Sequence, residues 1–164
     1  MKNTVLAITL IILSLFQINC KAQTASDYIS FYSDVVLKLN SIVPYKTQFY
    51  GQNFSAFYNE LQNKNIPIIK LVCSPKTDPG KKYYILDLFL ESSGMWSVAT
   101  DHNYQYPWIS ITFEDEIPAT IKSMVLQNHG QWNNTFLQFF SNMKIEKIDF
   151  IGLNGYDNTI WLDK

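Results

Sequence analysis

Asp87 and Asp101 are the two carboxylates whose deduced spacing suits chemistry on a sugar. Take Lys82–Glu91, Met95–Asp101 and Tyr106–Glu114 as consecutive strands. A turn centred on Asn103-Tyr104 then sets Trp96 opposite Ile111 and Val98 opposite Ile109, on one inner face. A three-residue loop, Ser92-Ser93-Gly94, has glycine where a left-handed residue is wanted. It brings Leu86, Leu88 and Leu90 to the same inner face and turns Asp87 and Phe89 outward. The outer face then carries Asp87, Ser97, Ala99, Asp101, Tyr106, Trp108 and Ser110, with the two carboxylates about 7–8 Å apart. Sugar rings stack on aromatic side chains, and a carboxylate pair can protonate a leaving oxygen and activate water or attack directly.

An open sheet does little to raise the pKa of one of those acids, which a general acid requires. The patch Asp87, Ser97, Asp101, Tyr106, Trp108 and Ser110 therefore reads as a binding surface, and a catalytic role for Asp87 and Asp101 is the weaker expectation. Trp108 and Tyr106 also have a plain alternative, as secondary core beneath a helix or the C-terminal segment. His102 is expected at a hairpin tip and His129 at a helix end, both ordinary positions for a polar residue. Neither has the spaced partners of a metal site, so no metal and no cofactor are expected. Cys73 lies between Leu71-Val72 and Ser74-Pro75, a setting for a buried small hydrophobe rather than an activated thiol.

Composition narrows the classes further. The 164 residues are 47% apolar, with 11 Phe, 10 Tyr and 4 Trp, enough for one domain with a real core. All 13 basic residues are lysine and the formal charge is −1, so nucleic acid is not an expected partner. No phosphate-binding glycine loop, HExxH, CxxC or GxSxG is present.

The chain opens with a short lysine-bearing start and an apolar run from Val5 to Phe16. As a helix that run spans about 18 Å, well under a bilayer's hydrocarbon core, which is signal-peptide length. Residues 1–22 are thus expected to be a signal peptide, cut before Gln23 behind Cys20-Lys21-Ala22. The alternative is lipidation at Cys20, against which Asn19 departs from the small residue usually found there. Residues 23–164 form the single expected domain, with no transmembrane span in the mature chain.

Within that domain, Thr24-Ala25-Ser26-Asp27 has capping-box spacing ahead of an amphipathic stripe from Tyr28 to Ile42. Asn53 opens a second helix through Leu61. The period changes to two over Ile66–Ser74, followed by a Pro75–Gly80 turn and the three strands above. A helix follows the acidic Glu114-Asp115-Glu116 and stops at Gly130. Trp132, Phe136, Phe139, Phe140 and Met143 make another helical stripe. Lys147–Leu153 and Asn158–Leu162 close the pattern as a hairpin around Asn154-Gly155. The expected fold is α+β: a curved antiparallel sheet of about six strands, with N-terminal and central helices on one face.

Size, export, slight acidity and the lack of catalytic motifs together predict a small exported bacterial binding protein, periplasmic, secreted or envelope-anchored. A protein partner is favoured over a small ligand, as for an immunity-type inhibitor that plugs a basic toxin. The alternative is an envelope glycan-binding or glycan-cleaving protein using the acidic-aromatic patch. The helices' polar faces hold Asn, Gln and Ser with few lysines, unlike interfacial membrane helices.

Overall fold

The computed structural model describes residues 23–76 and 82–161. The leader and Cys20 lie outside the described residues, as do most of the Pro75–Gly80 turn and Leu162. The elements run α1 (Ala25–Asn40), a 3-10 segment (Val43–Phe49), α2 (Phe54–Asn63), β1 (Lys70–Pro75), β2 (Tyr83–Phe89), α3 (Ser93–Asp101), β3 (Trp108–Ile117), α4 (Ile121–Gln127), α5 (Asn134–Phe140) and β4 (Ile145–Ile151). The class is α+β, with one four-stranded sheet in the order β1-β2-β3-β4 and every neighbouring pair antiparallel.

Alternation decides the two faces of this sheet. The inward rows are Leu71, Leu88, Ile109, Phe150 and Cys73, Leu86, Ile111, Ile148, read across the four strands. They bury against Val35 and Leu39 of α1, Phe54, Phe57 and Leu61 of α2, Ile121 of α4, and Phe136 and Phe140 of α5. The outward rows are Lys70, Phe89, Trp108, Ile151 and Val72, Asp87, Ser110, Asp149. Leu86, Leu88, Ile109 and Ile111 thus face in, and Asp87, Phe89, Trp108 and Ser110 face out, as their spacing predicts.

The capping box of α1 is complete: the Asp27 amide donates to the Thr24 hydroxyl and the Thr24 amide donates to the Asp27 carboxylate. The α1 stripe serves two clusters. Val35 and Leu39 join the main core, while Tyr28 and Tyr32 join Ala99 of α3 in a second one.

Four expectations are corrected. The sheet has four strands and not six, and the curvature expected of the larger sheet goes with them. Met95–Asp101 is a helix rather than a strand: the Ser92 hydroxyl accepts from the Met95 amide as an N-cap, and Met95, Val98 and Ala99 turn to the α1 tyrosines at helical spacing. Trp96 is therefore 47% exposed instead of buried under a strand. Asn158–Trp161 is not a strand, and the Asn154-Gly155 turn makes no hairpin. The last helical stripe is also shorter than expected. Trp132 precedes α5 and donates its amide to Ile69 O at 3.0 Å, closing part of the β1 edge.

Candidate functional site

The expected patch divides. Asp87, Trp108 and Ser110 stay together on the outer face, but Ser97 and Asp101 leave the sheet with α3, so the diagonal carboxylate pair does not exist. The Asp87 carboxylate accepts from the Ser110 hydroxyl at 2.7 Å and the Ser74 hydroxyl at 3.2 Å. Burial raises its pKa, and those two hydrogen bonds pull it back down in part. Asp149, beyond Ser110 in the same row, is ion-paired to Lys147 at 2.8 Å and to Lys46 at 3.6 Å.

Trp108 lies within an aromatic run. It stacks on Phe89 at 6.3 Å and meets Tyr106 at 5.6 Å and Trp161 at 5.5 Å. Trp161 reaches this face because Gln105 holds the C-terminal segment. The buried Gln105 amide nitrogen donates to Asn158 O at 2.9 Å and Ile160 O at 2.6 Å, and its backbone N–H donates to Tyr156 O at 2.7 Å. Tyr28 in turn donates its hydroxyl to Gln105 O. Gly152 makes the approach feasible, since its φ is +75° and a Cβ there would fall 2.2 Å from Tyr106 O. The C-terminal segment therefore partly covers Tyr106 and Trp108. Gln105→Ala should lower stability by about 2 kcal/mol and raise acrylamide quenching of tryptophan, because two part-buried hydrogen bonds to the C-terminal segment are lost. Urea unfolding and quenching check it; lost stability with unchanged quenching would mean Gln105 does not hold Trp161 in place.

Phe89 also belongs to a second feature that no spacing predicted. Where β2 ends, the chain enters α3 through Glu91 and Ser92, and across from it the 130–132 segment returns along β1, Leu71 donating to Gly130 O at 2.9 Å. Between them lies a groove of about 560 Å³, lined by Lys70, Val72 and Phe89 of the sheet, Glu91 and Trp96 at the α3 start, and Leu126 and His129 at the α4 end. That volume falls in the ordinary range of ligand sites.

Glu91 is the group with chemical interest. It is only 3% exposed, and the Leu90 amide donates to its Oε2 at 3.2 Å. Burial pushes its pKa up to about 7; its own and the Leu90 backbone N–H groups and the Lys70 charge pull it down without cancelling that effect. Around neutral pH the groove thus contains a carboxyl that both donates and accepts, under exposed apolar walls.

Other candidates have structural roles. His102 is exposed beyond α3 and stacks on Tyr104 at 5.2 Å. His129 has φ +52° at the turn after α4 and an exposed side chain in the groove wall. Cys73 faces inward on β1; burial first, then the Asp87 charge, pushes its thiol up to about 12, far from an activated thiolate. Among the described residues no cluster of three or more His, Cys, Asp or Glu is placed to hold a metal, and no helix is long and apolar enough to cross a membrane. No family model, curated protein or solved structure matches the chain.

Proposed function

We propose that this chain is an exported binding protein of the bacterial cell envelope and that its ligand occupies the Glu91 groove. The observation behind this reading is a single conjunction: a nearly inaccessible carboxyl beneath exposed Trp96, Leu126 and Val72. Isolated exposed hydrophobic residues are ordinary, but three from separate elements around one concavity mark an interaction site. A ligand with an apolar body and a hydrogen-bonding group matches that lining. Export rests on the leader-like residues 1–22.

The test is capture from bacterial envelope extract by the full chain, with Trp96→Ala as control and protein, glycan and lipid all analysed in the eluate. A species held by wild type and lost with the folded variant supports the groove as the site. Equal recovery by both would sink it.

A second reading has one observation in its favour. A carboxyl pushed up to about 7 lies in the range of a general acid at neutral pH, and Trp96 offers a stacking surface. Glu91 would then supply the proton to the leaving oxygen, the acid half of the glycan-cleaving role first expected of Asp87 and Asp101, with water attacking the sugar carbon and its proton passing to solvent. That reading requires new reducing ends from envelope polysaccharide, abolished by Glu91→Gln. Their absence removes it and leaves binding.

A further inference from the structure

Val72, Trp96 and Leu126 are 48%, 47% and 76% exposed, and they make up half of the six most exposed large hydrophobic residues described. They come from β1, α3 and α4, yet all line the groove. Val72 and Leu126 also wall an adjoining hollow of about 310 Å³, so the apolar rim is continuous across both. Leu126 is one helical turn beyond Lys122, whose ammonium lies 5.1 Å above the Tyr83 ring at the edge of that hollow. Lys70 and His129 stand in the groove wall, and its one acid, Glu91, is buried at the bottom. Two lysines, Lys70 and Lys122, thus stand beside the apolar rim, while the nearby acids Glu91 and Asp87 are largely buried, in a chain whose overall charge is −1.

The start of the folded chain indicates what this rim faces. Gln23 accepts from the Ser92 hydroxyl at 3.2 Å and packs against Gly94, where any Cβ would fall 2.1 Å from the Gln23 side-chain oxygen. Ser93, between those two contacts, lines the groove. The described chain thus begins at the groove's own margin. Cys20 is three residues before Gln23, at most about 11 Å of chain. A lipid on Cys20, or the apolar Val5–Phe16 run before processing, would hold the bilayer within about that reach of the groove's margin.

We propose that the groove rim is a membrane-contact surface, with Val72, Trp96 and Leu126 entering the outer part of an anionic bilayer whose acyl chains are the groove's ligand. Tryptophan favours the headgroup level of a bilayer, leucine the acyl region, and lysines at the margin meet anionic headgroups. The proposal rests on the export reading above and names the ligand of the same site.

The test uses full chain recovered from the envelope of expressing cells, with intact mass reporting its N-terminus. Partition is measured in a Cys20→Ala background, where no lipid can be attached, onto vesicles of phosphatidylethanolamine and phosphatidylglycerol. Brominated acyl chains in one arm quench any tryptophan that enters the bilayer. The expected result is quenching that Trp96→Phe removes, and a partition constant that Leu126→Ser lowers about tenfold. Leu37→Ser, at a 73% exposed leucine on α1, should change neither.

Several results would overturn the proposal: no partition by processed protein, quenching unchanged in Trp96→Phe, or an equal loss with Leu37→Ser. A dimer that Leu126→Ser dissolves would assign the rim to a second copy instead. A cytoplasmic chain retaining Met1 would refute export, while vesicle binding would still be decided by the same variants.

Discussion

Glu91→Gln should be about 3 kcal/mol more stable, relative to wild type, at pH 8 than at pH 4. In the unfolded chain a glutamate loses its proton near pH 4.3. In the folded protein, burial keeps the Glu91 proton until about 7. Between those values the folded state binds more protons than the unfolded one, so wild-type stability falls as pH rises through the window and levels off above it. Glutamine does not titrate, so the variant lacks that decline. Asp87, also raised by burial, adds a slope of the same sign to both proteins and cancels in the difference. Urea unfolding at several pH values measures it. Parallel curves for the two proteins would mean that the carboxyl is solvated and charged in the groove, which would remove the reason for placing a ligand there.

Phe54→Ala should cost about 4 kcal/mol of stability. Phe54 is fully buried, and its ring lies 6.1 Å from each of Tyr58, Phe113, Trp132 and Phe140. Its amide donates to Met143 O at 2.8 Å, so one residue ties α2 to β3 and to the chain on either side of α5. Truncation removes a ring from the junction of three elements whose backbones are fixed by the sheet and cannot close the space fully. Denaturant unfolding gives the cost, and Trp132 emission reports the local change. A loss below about 1.5 kcal/mol would show that the neighbouring rings collapse into the gap.

The contrast between β2–β3 and α3 explains how far the pattern of residue types reaches. Leu86, Asp87 and Leu88 alternate, as do Ile109, Ser110 and Ile111, so period two assigns those faces, and the apolar Phe89 and Trp108 face outward by the same register and not by their type. Seven residues from Met95 to Asp101 are too few to separate the two periods. Trp96 and Val98 satisfy alternation, while Met95, Val98 and Ala99 satisfy a helix, and the Ser92 N-cap was the local signal for the second. Ser97 and Asp101 followed that choice out of the sheet. Around Trp132 and Trp161 the periodic pattern was overridden by hydrogen-bond partners far along the chain, the Ile69 carbonyl in one case and the Gln105 side chain in the other.

By itself, the sequence determined the α+β class, the capped first helix, the inner faces of β2 and β3, and the outward placement of Asp87, Phe89, Trp108 and Ser110. Each of these depends on periodicity or a cap within a few residues, where burial of one face is decided locally. Only the tertiary structure decided the groove. Lys70, Glu91, Trp96 and Leu126 meet because α3 packs on Tyr28 and Tyr32 while the chain after α4 returns along β1. A concavity is the space left between elements, and its walls depend on contacts between residues distant in the chain, which no local period records.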